Sequence, residues 1–145
     1  MKILFSHYAI IDKEGFGRSF MLARELVALG NDVTFLTSLP ARKFRFPYSK
    51  EIRDGVKIIA FPDIVPDFMR RTGFGCLTVL FKFFYLLFRR FDIYHADAGH
   101  RPNGGIPIIL NKVINWRLVY VSEWWDHFGK GGQFDSKKGF KKITH

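Results

Sequence analysis

Cysteine is almost absent from this 145-residue chain, which carries it only at position 76. A single cysteine excludes an internal disulfide and a cysteine-rich metal site, as is typical of proteins in a reducing compartment. We also expect no export signal, since Ser6 and His7 interrupt the apolar N-terminal stretch and no small-residue cleavage site follows. We therefore expect a cytoplasmic protein in which Cys76, within an apolar run, is a small buried side chain.

The sequence has no apolar run long enough to cross a bilayer. The best candidate, CLTVLFKFFYLLF at residues 76–88, is too short and contains Lys82. It belongs to a longer stretch, residues 68–91, whose pattern predicts one helix, with Arg89 and Arg90 at its end. We expect a buried helix that connects two strands. The alternative is an amphipathic helix whose apolar face rests on the inner face of the membrane.

Negative charge is scarce, because 13 Asp and Glu residues face 23 Lys and Arg residues, for a formal net charge of +10. This excess favours an anionic partner, which can be nucleic acid, an acidic membrane or a phosphate-bearing substrate. Seventeen phenylalanines, several of them between residues 74 and 91, favour the membrane surface. No nucleic-acid partner is expected, since no such module is recognisable and the aromatic residues are not interleaved with basic ones.

The chain does have a regular alternation of strand and helix patterns. Strands are predicted at KILFS, NDVTFLTS, the hairpin-like DGVKIIAFP, FDIYHAD and WRLVYVS, and helices at SFMLARELVALG, residues 68–91 and GGIPIILNKVI. This order predicts an α/β fold, a Rossmann-like parallel sheet with flanking helices, over residues 1–129. The glycine- and lysine-rich residues 130–145 predict a mobile loop or tail.

A glycine-rich stretch, KEGFGRSF at residues 13–20, lies between the first strand and the first helix. It departs from the dinucleotide-binding fingerprint because Phe20 occupies the third glycine position, and no Gly-Lys-Ser/Thr follows as in a nucleoside triphosphate loop. Gly15, Gly17 and Arg18 could still present backbone amides and a guanidinium to a phosphate at a helix start. The alternative is a tight turn with a solvated arginine.

Polar residues follow three of the predicted strands and should meet at one edge of the sheet, where ligands of open α/β folds bind. The first strand leads to the glycine-rich stretch. The fourth leads to His95 and Asp97, which face the same side, and then to His100. Their spacing is similar to that of metal ligands, but no fourth ligand is evident, so we expect a substrate-binding loop and no metal.

The fifth strand ends at EWWDHFG, which places Glu123, Asp126 and His127 beside Trp124 and Trp125. These residues combine an acid, a base and flat aromatic surfaces. Carboxylates beside aromatic planes suit a polyhydroxylated ring, so we expect a catalytic site. The alternative is an aromatic lid over the end of the sheet.

The ordered set KILFS, GFGRSFMLARELVALGNDVTFLTS, FDIYHAD and LVYVSEWWDHFG resembles the N-terminal domain of family 4 glycosyltransferases, the retaining group 1 enzymes of two-domain GT-B fold. The resemblance covers residues 1 to about 129. It implies that Gly15, Gly17 and Arg18 line the cleft near the donor diphosphate or acceptor. It also aligns Asp92 and His95 with the Asp-x-x-His pattern of the fourth strand.

The resemblance further aligns Glu123, Asp126 and His127 with the acidic or histidine-bearing loop after the fifth strand, where we expect catalytic roles. From their place after the fourth strand we expect binding roles for His95, Asp97 and His100. Two departures are Asp97, where the family often has a second histidine, and SEWWDHF, where it has a His-Asp pair.

The implied function is transfer of a sugar from a nucleotide-sugar donor, a substrate rather than a cofactor, to a sugar or lipid-linked acceptor hydroxyl in cell-surface polysaccharide or glycolipid synthesis. The resemblance also implies a C-terminal donor-binding domain, which we expect to act in cis or from a separate chain because these 145 residues do not contain it. Without that domain we expect no activity. The alternative is a non-catalytic module that binds a membrane or a protein partner.

Overall fold

The fold is a six-stranded sheet with helices on both sides, given by a computed structural model that describes residues 1–13 and 15–122. The strands are β1 (Lys2–Ile10), β2 (Asp32–Ser38), β3 (Ser49–Arg53), β4 (Val56–Phe61), β5 (Ile93–Ala96) and β6 (Tyr120–Ser122). The helices are α1 (Phe16–Ala28), α2 (Asp67–Arg71), α3 (Cys76–Leu87) and α4 (Pro102–Ile114). The predicted domain end at residue 129 and the tail lie outside the described residues.

The strand order is β3-β4-β2-β1-β5-β6, and every neighbouring pair is parallel except β3 with β4. This arrangement confirms the predicted α/β fold and its Rossmann-like character. The one antiparallel pair among the described strands lies at an edge of this mostly parallel sheet. Asp54 and Gly55 both have positive φ, 49° and 79°, as two-residue hairpin turns require, so β3 folds back antiparallel onto β4.

The two faces of the sheet have separate cores, because successive side chains of a strand point to opposite faces. On one face α1 covers Ile3, Phe5, Phe35 and Ile58. On the other, α3 and α4 cover a second set of buried side chains, which consists of Leu4, Leu36, Ile59, Phe61, Leu86, Tyr94, Ala96, Ile108 and Leu118. The central strand β1 therefore supplies residues to both cores.

Two expectations for residues 68–91 were wrong. The single predicted helix is two helices, α2 and α3, because Gly73 has a φ of 91° and breaks the helical backbone between them. Cys76 is exposed rather than buried, since it is the first residue of α3. The residues of α3 that are buried are Thr78, Lys82 and Leu86, four positions apart along one side of the helix.

Four α-helices lie within residues 1–13 and 15–122. None of the helices there combines the length and the hydropathy that a bilayer span requires.

Candidate functional site

The candidate site lies at the edge where the parallel strands end, which we call the carboxyl edge. From β1 the sheet continues to β2 on one side and to β5 on the other, so the strand order reverses between β1 and β5. Ligands of open α/β sheets bind at this reversal. The register pairs Ser6 with Ala96, and the next residues along the two strands are His7 and Asp97.

His7 and Asp97 form a buried pair. Nδ1 of His7 donates a hydrogen bond to Oδ2 of Asp97, and both side chains are almost completely shielded from solvent. Phe16 and Phe35 pack on the imidazole, each with ring centroids 5.7 Å from it. Burial alone would raise the pKa of Asp97, but the hydrogen bond and charge of His7 and the guanidinium of Arg18 bring it below its ordinary value. Asp97 is therefore a carboxylate of fixed orientation at neutral pH.

The first turn of α1 lies above this pair. Gly15 precedes the helix with a φ of 72°, and a Cβ there would lie 3.5 Å from the Tyr8 hydroxyl. Gly17 and Arg18 belong to the helix itself, so the predicted glycine loop is shorter than expected. Arg18 is half exposed, and its Nη2 atom lies 3.8 Å from Oδ1 of Asp97. One side of the Arg18 guanidinium therefore faces the Asp97 carboxylate, which orients it, and the other side faces solvent.

The N-terminus of α4 lies at the same edge. Residues 97–100 form a turn, which we call the Asp97 turn. It packs closely against α4 because the helix carries two glycines there, and a Cβ on Gly104 would lie only 2.5 Å from the Asp97 carbonyl oxygen. Arg101 immediately precedes α4, and its Cζ lies 5.9 Å from the centroid of the Tyr8 ring. The N-terminus of α1, at Gly15, and the Arg101 side chain therefore both lie beside Tyr8. The positive end of α1 and the guanidinium favour anions, whereas the amides of Asn103, Gly104 and Gly105 in α4 already donate to carbonyl oxygens.

Lys82 lies beneath the pair and joins three elements. Its Nζ atom is fully buried and donates hydrogen bonds to the carbonyl oxygens of His7 at 2.6 Å and Asn103 at 2.8 Å. The hydroxyl of Ser6 is 3.4 Å away. Burial lowers the pKa of Lys82 to about 7, against an opposing effect of the Asp97 charge. Lys82 links α3 to the ends of β1 and the start of α4, and so fixes the frame of the site.

The structure brings only some of the predicted binding residues to the surface. Gly15, Gly17 and Arg18 are exposed around Asp97. His95 is buried and packs on Phe5, with ring centroids 4.5 Å apart. Burial lowers its pKa, so it is a neutral core imidazole and does not line the open edge.

The remaining predicted residues divide into three groups. His100 is exposed in the turn before α4. Asp92 lies at the opposite end of β5, where Oδ2 accepts a hydrogen bond from the Lys2 backbone amide. Glu123, Asp126 and His127 lie outside the described residues, so their predicted catalytic role stays a prediction. Among residues 1–13 and 15–122, no three His, Cys, Asp or Glu side chains form a group that could hold a metal ion.

Sequence reasoning missed two contributors to the site. Lys82 was seen only as an interruption of an apolar run, although a lone charge on the buried side of a helix is itself a signal of buried hydrogen-bond partners. Arg101 directly precedes Pro102, the first residue of α4. A proline at the first helical position is a sequence signal for a helix N-terminus.

Comparison with known proteins gives no relative from which to transfer a function. The sequence matches no model of a known protein family, and a search of curated proteins finds no significant match. The fold and the geometry of the carboxyl edge are therefore the basis for a functional proposal.

Proposed function

We propose that this chain is the acceptor-side, Rossmann-like domain of a sugar-transferring enzyme and that it binds a phosphate-bearing sugar substrate at the carboxyl edge. One observation carries the proposal. Arg18, in the first turn of α1, lies beside the buried carboxylate of Asp97 at the reversal of strand order, and Arg101 at the start of α4 packs on the Tyr8 ring at the same edge.

Each part of this arrangement suits a diphosphate. Backbone amides in the first turn of α1 can donate to an anion, since a first helical turn has no acceptor within its own helix. In α4 the corresponding amides already donate to the carbonyl oxygens of Gly73 and Arg101, so that helix contributes the Arg101 side chain instead. The Arg18 guanidinium adds a second, charged donor whose direction is set by Asp97. Because Asp97 is paired with His7, its charge is partly balanced, and Arg18 remains attractive to a phosphate. The tyrosine ring offers a flat surface beside these donors.

In the reaction that we propose, the bond between the anomeric carbon and the donor phosphate oxygen breaks, and the diphosphate leaves with the electron pair. The acceptor hydroxyl oxygen bonds to the same carbon, and its proton passes to a base or to the departing diphosphate. Arg18 and the amides of α1 would stabilise the charge that develops on the leaving group. A second domain, in cis or on a separate chain, would bind most of the donor. The class of pathway proposed is synthesis of a cell-surface polysaccharide or glycolipid, with retention of configuration.

Replacing Arg18 tests this proposal. We expect Arg18→Gln to weaken binding of nucleoside diphosphate sugars at least tenfold, since one charge-assisted donor is worth roughly 1.5–3 kcal/mol. Isothermal titration of the chain with UDP-glucose, GDP-mannose and the corresponding diphosphates would measure this.

The matched control is Arg24→Gln, because Arg24 lies on the same helix and pairs with its neighbour Glu25 at 2.9 Å. The control should bind as the unchanged chain does. Equal weakening by both substitutions, or no binding of any of these ligands at millimolar concentration, would contradict the proposal.

A second candidate function is attachment to an anionic membrane, favoured by the outward sides of α3 and α4. The two helices pack side by side, and each exposes large apolar residues, which we call the α3–α4 apolar face. They are Leu80, Phe84, Leu87, Phe88, Ile106, Ile109, Leu110, Val113, Ile114 and Trp116. Cations at the same ends of these helices, Arg89, Arg90, Lys112 and Arg117, would face lipid phosphates, as is typical of interfacial helices.

Flotation with vesicles tests this second candidate. Val113 and Leu29 are 79% and 78% exposed, on opposite faces of the sheet, so Val113→Asp and Leu29→Asp remove similar apolar surface and add the same charge. We expect the unchanged chain and Leu29→Asp to float with phosphatidylglycerol vesicles, and Val113→Asp to float at least tenfold less. Absence of binding by the unchanged chain at moderate salt would remove the membrane function.

A further inference from the structure

A basic pocket lies at the opposite edge of the sheet, where the parallel strands begin. It has a volume of about 360 Å³ and is separate from the carboxyl edge. We call it the amino-edge pocket. Its lining consists of Lys2, Asp32, Thr34, Tyr48, Lys50, Lys57, Ile59, Tyr85, Arg89, Arg90 and Phe91.

The charges of the amino-edge pocket are strongly unequal. Five cationic side chains line it with one carboxylate, that of Asp32. This carboxylate is already paired, because Nζ of Lys57 lies 2.8 and 3.0 Å from its two oxygens. Within the described part of the chain, Lys2, Lys50 and Arg90 make no ion pair. The pocket therefore gathers positive charge that the carboxylates of residues 1–13 and 15–122 do not neutralise.

The sequence builds this pocket through strand register. Lys2 pairs with Asp32, Thr34 with Lys57, and Lys50 with Ile59, so these side chains lie on the face of the sheet that α3 covers. The helix ends at Leu87 before it reaches the ends of the strands. The polar residues near the starts of β1, β2 and β4 are thus left under an open space instead of under a helix, and Lys50 borders this space from the antiparallel edge strand β3.

The walls of the pocket are partly preorganised. The Cζ atom of Arg89 lies 4.5 Å from the centroid of the Tyr85 ring, a cation–π contact that fixes the guanidinium. The Tyr48 and Tyr85 rings meet edge to face, with centroids 6.1 Å apart. Burial raises the pKa of Tyr85, so its phenol stays protonated and can donate a hydrogen bond.

Helix electrostatics account for only part of this cation cluster. Arg89 and Arg90 follow the C-terminus of α3, where a helix dipole favours positive charge. Lys2, Lys50 and Lys57 come from three different strands, where no dipole attracts them. Their convergence on one pocket would raise the free energy of the folded chain through mutual repulsion unless an anion bound there.

We propose that the amino-edge pocket is a second anion site, which binds a phosphate monoester. The pocket is larger than a phosphate ion needs, so the group attached to the phosphate also lies within it. This site does not depend on the proposed sugar transfer, because it shares no residue with the Arg18 and Asp97 site.

Titration with inorganic phosphate at low ionic strength tests the site. We expect Lys50→Gln/Arg90→Gln to weaken phosphate binding at least tenfold. The control Arg42→Gln/Arg45→Gln removes the same charge from the exposed loop between β2 and β3 and should change affinity less than twofold. In the unchanged chain, backbone amide resonances of Thr34 and Ile59 should shift on addition of phosphate, a result that needs no variant. Arg18→Gln should bind phosphate here as before, which separates this test from that of the proposed function.

Vesicles distinguish the two sources of such a phosphate. Parallel flotations would use phosphatidylcholine vesicles with and without phosphatidic acid. Binding to phosphatidic acid that Lys50→Gln/Arg90→Gln abolishes would support a lipid headgroup, and binding of inorganic phosphate alone would support a soluble phosphate ester. Equal losses of phosphate affinity in Lys50→Gln/Arg90→Gln and in the control Arg42→Gln/Arg45→Gln would overturn the proposal. So would a chain that binds neither inorganic phosphate nor phosphatidic acid vesicles.

Discussion

Lys82 is the residue at which helix, strand and candidate site are linked. It is the only charged side chain of α3, and its buried Nζ atom donates to carbonyl oxygens of His7 and Asn103. A buried ammonium loses its hydration, and three acceptors restore only part of that free energy. The amphipathic pattern predicted a buried helix, but no periodicity indicates which backbone oxygens a lysine will reach, because those partners come from distant segments.

The protonation of Lys82 gives a prediction for stability. In the folded chain the pKa of Lys82 is about 7, whereas that of an exposed lysine is 10.5, so between these pH values the unfolded chain binds more protons. The free energy of unfolding should therefore rise with pH across this window, by at most about 1.4 kcal/mol per pH unit. Urea unfolding of the unchanged chain and of Lys82→Met at pH 6.5, 8 and 9.5 would measure it.

The comparison with Lys82→Met removes the contributions of other titrating groups. The free energy of unfolding of the unchanged chain, minus that of the variant, should rise from pH 6.5 to pH 9.5, because only the unchanged chain carries this lysine. A difference that is independent of pH, or that shrinks as the pH rises, would mean that Lys82 is not held with a lowered pKa.

At the scale of elements, glycines decide how closely α4 approaches the Asp97 turn. A Cβ on Gly105 would lie 2.0 Å from the carbonyl oxygen of Gly99, a distance that requires backbone movement. A Cβ on Gly17, in the first turn of α1, would meet no heavy atom within 4 Å. The sequence shows both glycines near helix starts, and only the packing distinguishes a required glycine from a permissive one.

These two glycines predict opposite results of the same substitution. Gly105→Ala should lower the free energy of unfolding by about 1–3 kcal/mol through overpacking. Gly17→Ala should raise it by up to about 1 kcal/mol, since alanine favours the helix. Urea denaturation would measure the changes, on the condition that the unfolding free energy of both variants depends equally steeply on urea concentration. A stabilising Gly105→Ala would show that α4 is not held against the Asp97 turn.

At the scale of the whole molecule, the order of elements was predictable and their details were not. Alternation of strands and helices gave the Rossmann-like fold and the edge at which Arg18 and Asp97 meet. The antiparallel β3 and the division of residues 68–91 depended on positive φ at Gly55 and Gly73, which hydrophobic periodicity does not encode. The amino-edge pocket depended on strand register, which the sequence does not specify by itself.

The central claim, a sugar-phosphate site at the carboxyl edge, is tested most directly by mapping where a ligand binds. Backbone amide resonances of the chain would be followed by nuclear magnetic resonance while a nucleoside diphosphate sugar is added. The proposal predicts that the largest shifts fall on Gly17, Arg18, Asp97 and Gly104. Shifts confined to Thr34, Lys57 and Ile59 at the amino edge, or no shifts at millimolar ligand, would contradict it.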